Sequence, residues 1–118
     1  MFPEELPHVN TVFLSRISEF LDVNLDDARL TANAVTSAMR ISKSTLNRKL
    51  KALKGKTINE YIREYRIQKS LIILKAGYSI HETSHRVGFK TASYYTQCFK
   101  SYFHQTPSQF IRLLNQKA

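Results

Sequence analysis

A chain of 118 residues has room for one modest hydrophobic core, and an apolar content of 42% is that of a globular domain. The longest apolar run, Leu71-Ile72-Ile73-Leu74, is far short of a membrane span, and Met1 to Asn10 carries acids and prolines where an export leader has bases and apolar residues. The net charge of +9 is uneven: residues 1–27 hold six acids and one base, while residues 28–118 hold seventeen bases and three acids. Lys43, Arg48, Lys49, Lys51, Lys54 and Lys56 form a basic run with no acid. Clustered cations of this kind gain free energy by releasing counterions from phosphates, so a polyanion is the expected partner. The single cysteine, Cys98, rules out an internal disulfide and fits a reducing compartment, and the expected location is the cytoplasm.

Strand signals are nearly absent, and seven helices are expected. The first spans about 11–22, with Phe13, Ile17 and Phe20/Leu21 as its apolar stripe. Two short helices follow near 31–38 and 42–54. Gly55 is placed to end the second, since glycine takes the left-handed conformation at little cost. Thr57-Ile58-Asn59-Glu60 reads as a capping box opening a long helix over 58–75, with Ile58, Ile62, Tyr65, Leu71 and Leu74 as its inner residues and Gly77 beyond its end. Ser79-Ile80-His81-Glu82 reads as a second capping box, opening a helix near 80–86. Another helix follows near 90–103, and Thr106-Pro107-Ser108-Gln109 starts the last, over 107–116.

The chain repeats itself. Leu46-Asn47-Arg48-Lys49-Leu50-Lys51 aligns with Tyr95-Thr96-Gln97-Cys98-Phe99-Lys100, and Thr57, Tyr61, Ile62 and Arg63 align with Thr106, Phe110, Ile111 and Arg112 at the same offset. One residue of slip brings Val35-Thr36 onto Thr83-Ser84 and Arg40-Ile41 onto Gly88-Phe89. Each copy is a short helix, a tight turn (Met39-Arg40-Ile41 or Val87-Gly88-Phe89) and a second helix. That order describes a helix-turn-helix, whose second helix fits the major groove of DNA. Gly88 suits a turn position with positive φ, and Arg40 in the matching place is less comfortable.

The ordered set Ser42, Leu46, Arg48, Leu50-Lys51, Gly55, Tyr61 and Arg66, followed by Ser79-Ile80, Glu82, Val87-Gly88-Phe89, Ser93-Tyr94-Tyr95, Phe99-Lys100, Phe103 and Thr106-Pro107-Ser108, closely resembles the DNA-binding domain of the AraC/XylS family of bacterial transcription regulators. The resemblance covers about residues 31–114. It implies an all-α fold of two helix-turn-helix subdomains joined by a long linker helix. The corresponding division is an N-terminal linker and packing helix over 1–30 and the DNA-binding domain over 31–118. Within that domain the first helix-turn-helix covers about 31–54, the linker helix 57–75, the second helix-turn-helix 79–103 and the C-terminal helix 106–116. The sequence departs from the family pattern at Thr83-Ser84, usually an apolar residue and Ala, at His104, where Gly is common, and at Gln97, frequently Arg.

His81-Glu82-Thr83-Ser84-His85 also fits the H-E-x-x-H pattern of zinc peptidases, in which two histidines one turn apart bind the metal and the Glu acts as base. In the repeat, however, Glu82 is a capping carboxylate. No Asp or Glu follows it to supply a third ligand, and the helix must break at Val87-Gly88-Phe89. The match is read as coincidence. No enzyme activity, cofactor or metal is expected, and Cys98 is read as a packed side chain.

In the first unit Leu46 and Leu50 face inward, which turns Lys43, Ser44, Thr45, Asn47, Arg48 and Lys51 outward. Ser44, Thr45, Asn47 and Arg48 are the expected base readers: Arg48 has a fork for guanine and Asn47 an amide for adenine, and the resemblance favours Ser44, Asn47 and Arg48. Ser42, Lys43, Lys49 and Lys51 are assigned to phosphates, with solvated charge as the alternative for Lys49 and Lys54. In the second unit Tyr95 and Phe99 face inward. Ala92, Ser93, Thr96 and Gln97 are the base-reading positions, and Lys90, Tyr94 and Lys100 the phosphate positions. The first unit is expected to carry more of the specificity, and the two helices to enter successive major grooves, roughly 34 Å apart.

The expected partner is double-stranded DNA, with no membrane. The resemblance adds RNA polymerase and a sensor, receiver or ligand-binding region outside this chain. Alternatives are a stand-alone small activator of the same type and an RNA-binding or protein-docking helical module. RNA modules expose stacking aromatics on a sheet, whereas the aromatics here fall mostly on inward helix positions, and a docking module has no need of six bases within residues 43–56.

Overall fold

The computed structural model describes residues 7–116, so the acidic residues Glu4 and Glu5 and most of the Met1–Asn10 stretch read for a leader lie outside the described residues. Among the described residues every regular element is a helix. The order is α1 Pro7–Asn24, α2 Ala32–Met39, α3 Lys43–Lys54, α4 Ile58–Lys75, α5 Ile80–Arg86, α6 Ala92–Phe103 and α7 Pro107–Gln116. None is long and apolar enough to cross a membrane.

The helix ends follow from local chemistry. Thr31, Ser42, Ser79 and Thr91 each accept a hydrogen bond from the backbone N–H three residues on, capping α2, α3, α5 and α6. Thr91 therefore starts α6 at Ala92, two residues later than the sequence suggests. The Thr57 box is complete: Glu60 N donates to Thr57 Oγ1 at 3.2 Å and Thr57 N donates to Glu60 Oε1 at 3.1 Å. Thr106 and Gln109 make the same exchange at the start of α7, where Pro107 takes the first helical position. The Ser79 box is half made. Glu82 N donates to Ser79 Oγ at 3.0 Å, but the Glu82 carboxylate accepts from Arg86 Nε at 3.0 Å. An ion pair one turn along takes the place of the return bond.

The chain divides into two units, one of residues up to Asn24 with Leu30–Tyr61 and one of Leu25–Arg29 with Ile62 onward, so α4 begins in the first and continues into the second. In the first unit α1 packs on α2 and α2 on α3. Its core holds Phe13, Ile17 and Leu21 from α1, Val35 and Met39 from α2, Leu46 and Leu50 from α3, and Ile58. Removing each such side chain from water is worth about 1.5–3 kcal/mol. α1 is thus part of this core.

In the second unit the buried cluster is Ile67, Leu74, Val87, Phe89, Tyr95 and Phe99, with Leu25, Cys98, Phe103, Phe110 and Ile111 packed against it. The rings of Phe89, Tyr95, Phe99, Phe103 and Phe110 form a chain of tilted and edge-on contacts, with centroids 4.9–5.9 Å apart. Burial pushes the Tyr95 phenol up to about 12, with Ser70 pulling the other way. The Tyr95 hydroxyl has no hydrogen-bond partner among the described residues, and the Ser70 hydroxyl donates instead to Ile67 O at 2.6 Å.

Arg66 is 92% removed from solvent in the middle of this unit's α4 segment, with 8% of its surface exposed. Its Nη2 donates to Asp27 O at 2.7 Å. Burial works against its charge and the neighbouring Asp27 favours it. The Asp27 carboxyl is in turn held below its usual value, first by the backbone N–H and side chain of Arg29. Gly88 lies against the same place, with φ +88°. A Cβ there would come within 2.1 Å of Leu25 O and 2.9 Å of the Arg66 guanidinium. The glycine of the turn is needed for space as well as for backbone conformation.

Candidate nucleic-acid interface

The two units present equivalent helices. On α3, Leu46 and Leu50 are fully buried, and on α6 Tyr95 and Phe99 are fully buried at the aligned positions. With the inner stripe fixed, helical periodicity leaves Lys43, Ser44, Arg48 and Lys51 exposed along one side of α3, with Thr45 half-buried beside them. The aligned side of α6 has Ser93, Tyr94, Gln97 and Lys100 exposed and Ala92 and Thr96 half-buried. Lys90 is exposed just before α6. Each helix follows a turn with a residue in the left-handed region, Arg40 at φ 58° and Gly88 at φ 88°. Arg40 is strained there by roughly 1–2 kcal/mol relative to glycine, and its side chain stays exposed.

A helix-turn-helix domain family model matches residues 35–113, which takes in both units' helix-turn-helix elements and most of α7. The chain belongs to the AraC-type helix-turn-helix family. This AraC-type chain is similar to Histidine kinase P4 of Formosa agariphila, at 29% identity over 103 residues, covering 86% of the chain and 8% of the relative. An HTH-type transcriptional regulator in the cgkA 5′ region of Pseudoalteromonas carrageenovora is 35% identical over 94 residues, 79% of the chain and 51% of the relative. Among solved structures, the DNA-binding domain of the global transcriptional factor AdpA, in complex with a target DNA, superposes with a TM-score of 0.79 at 16% identity, over 88% of the chain and 94% of that domain. At that identity the likeness is one of fold. The chain spans between about a twelfth and a half of the length of the two sequence relatives. The family is one of transcription regulators, and the AraC-type unit is their DNA-binding domain.

Within this AraC-type frame several expected contacts change. Asn47 is half-buried, and its Oδ1 accepts from Ile58 N at 2.8 Å. A paired asparagine–adenine contact needs both the oxygen and the nitrogen of the amide, and the bond to Ile58 N engages one of the oxygen's two lone pairs. Asn47 thereby ties α3 to the first turn of α4. Ser42, expected on a phosphate, is the N-cap of α3. Its Oγ accepts from Thr45 N at 3.1 Å and donates to Thr45 Oγ1 at 2.9 Å, so its one proton is engaged. The Lys49 ammonium lies 4.8 Å from the centroid of the buried Phe13 ring, a cation–π contact within the first unit that competes with a phosphate role. Tyr94 is 47% exposed with its ring 5.7 Å from that of Phe89, which fits a side chain that covers the turn and still presents its hydroxyl.

His81 and His85 are both exposed on α5, and among the described residues no group of three or more His, Cys, Asp or Glu is gathered in a way that could hold a metal. The Glu82 carboxylate is paired with Arg86. The sequence signal for the Arg66–Gly88–Asp27 cluster was a charged residue inside an apolar stripe, Tyr65-Arg66-Ile67, which helix periodicity alone does not assign to burial.

Proposed function

We propose that the chain reads duplex DNA sequence-specifically as the output module of a longer bacterial regulator, with α3 as the principal reading helix. The observation that carries this is the acid-free exposed side of α3, where Lys43, Ser44, Arg48 and Lys51 project from a helix anchored by two buried leucines. Arg48 is the base reader of first rank, because it is exposed, has no partner among the described residues, and carries a fork matched to guanine O6 and N7. Ser44, Thr45, Ala92, Ser93, Thr96 and Gln97 complete the reading surface. Lys43, Lys51, Lys90 and Lys100 hold phosphates. Gln97 stands where α3 has Arg48, so α6 contributes fewer strong base contacts. The short span relative to its relatives supports a sensor region elsewhere in the full protein, and membership of a family of transcription regulators supports a cytoplasmic place of action beside RNA polymerase, with no catalysis by this module.

The test is competition binding to a selected duplex and its single-base variants at two salt concentrations. Arg48→Ala should cost about 1–3 kcal/mol on the preferred site and flatten discrimination at one or two base pairs. Lys100→Ala should weaken all sequences alike and lower the salt slope by about one. Equal weakening of every sequence by Arg48→Ala, or a changed base preference from Lys100→Ala, contradicts this assignment.

A further inference from the structure

The H-E-x-x-H stretch has no part in the DNA-binding surface, yet its two histidines are placed in a definite way. On α5 the rings of His81 and His85 are 4.6 Å apart between centroids, inclined at 74°. Both side chains are exposed, so an aqueous ion reaches them without any movement of the fold. They occupy one ridge of the helix, at i and i+4. The neighbouring ridge holds Glu82 and Arg86, which neutralise one another through a 3.0 Å ion pair, while the Arg86 guanidinium also lies 4.1 Å from the centroid of Tyr78. The arginine is thus held by two partners on its own side.

We propose that His81 and His85 form a two-ligand surface site for a divalent copper or nickel ion, with water filling the remaining positions. Two imidazoles one turn apart suit this class, because affinity for nitrogen ligands rises along the first-row divalent ions to nickel and copper. With a metal–nitrogen bond of about 2.1 Å and a ring nitrogen about 1.2 Å from its own centroid, two imidazoles at right angles on one ion have centroids roughly 4.6 Å apart. At the tetrahedral angle the same bonds put the centroids roughly 5.3 Å apart. The separation in α5 is close to that of two adjacent ligands on a square-planar or octahedral ion, the geometries usual for copper and nickel. Two protein ligands give an exchangeable site, distinct from a peptidase centre, which needs three. The ion would clamp two turns of a helix only seven residues long, and a helix of that length depends on such tertiary or chelate support.

The experiment is calorimetric titration of nickel chloride into the untagged 118-residue chain, alongside His81→Gln and His85→Gln, with His8→Gln and His104→Gln covering the other two histidines. One nickel per chain is expected, with Kd raised at least tenfold by either α5 substitution and unchanged by the other two. Saturating nickel should raise Tm by several degrees in the wild-type chain and in neither α5 variant. The copper-loaded wild-type chain should show nitrogen couplings from two imidazoles in its electron paramagnetic resonance spectrum, a signature independent of how the variants fold. Nickel binding that survives both α5 substitutions, no binding up to millimolar nickel, a one-imidazole copper spectrum, or zinc bound more tightly than nickel would each overturn the proposal.

Discussion

The helix-turn-helix of α2 and α3 and that of α5 and α6 are made from the same backbone plan with different side chains. Leu46 and Leu50 in the first become Tyr95 and Phe99 in the second, all fully buried. Val35-Thr36 becomes Thr83-Ser84, and both hydroxyl residues of the second position donate back to a carbonyl three residues earlier, Thr36 to Asn33 O at 2.8 Å and Ser84 to His81 O at 2.7 Å. The left-handed positions are exchanged. The first unit has Arg40 in the turn and Gly55 after its second helix, whereas the second unit has Gly88 in the turn and His104 after its second helix, all four with φ between 58° and 88°. Positive φ alone therefore does not dictate glycine here. A close approach does, as at Gly88 and nowhere else among the three glycines.

The comparison breaks most visibly at the turns. Gly88→Ala should destabilise the chain by roughly 4 kcal/mol, because the left-handed strain adds to a Cβ driven into Leu25 O and Arg66. Arg40→Ala, at the aligned position, should change stability by less than about 1 kcal/mol, since it exchanges one side chain for another at the same φ. Urea unfolding of both variants checks the difference. Similar losses from both would mean that backbone conformation, and not space, is what the second turn requires.

A smaller effect is expected at the aligned buried positions Val35 of α2 and Thr83 of α5. Thr83 is fully buried and its Oγ1 has no hydrogen-bond partner among the described residues. Thr83→Val, which copies the first unit, should stabilise by about 1 kcal/mol, and Val35→Thr, which copies the second, should cost about 1–3 kcal/mol. Thermal unfolding of the two variants gives opposite signs if the hydroxyl lacks a partner, and like signs if Thr83 has found one.

The helix boundaries and caps were legible because they are local. Thr57 with Glu60 and Thr106 with Gln109 are close in sequence and were read as boxes directly, and the α1 stripe of Phe13, Ile17 and Leu21 follows from periodicity. What was not legible depended on contacts between distant positions. Periodicity gives Asn47 an outward face, and the sequence does not show that Ile58 N, eleven residues on, donates to its oxygen. Nor does it show that the Lys49 ammonium lies over a ring 36 positions earlier on another helix. Glu82 was read as a cap because nothing in a four-residue window weighs Arg86 against Ser79.

The smallest of these effects sharpens the reading-helix assignment. Asn47→Ala should lose about 1 kcal/mol of stability by stranding the Ile58 N–H, while leaving base preference intact. Thr96→Ala, at the aligned place on α6, should leave stability nearly unchanged, since no hydrogen bond of its side chain to a described residue is present. Measuring unfolding and base preference together separates the two. A lost adenine preference in Asn47→Ala, with stability intact, would return Asn47 to the DNA surface.

The short stretch Leu25–Arg29 has a consequence for how the protein emerges during synthesis. It leaves the ribosome directly behind α1 and ahead of α2, both of which belong to the first unit, but its own place is in the second. The guanidinium that holds Asp27 O belongs to a residue made 39 positions later, and the glycine that leaves room for Leu25 O comes later still. The first helix-turn-helix can therefore close around its leucines before this loop meets Arg66 and Gly88. Order of manufacture and order of assembly differ, since a piece of the second unit that is among the earliest to be made gains these neighbours only once Arg66 and Gly88 have followed.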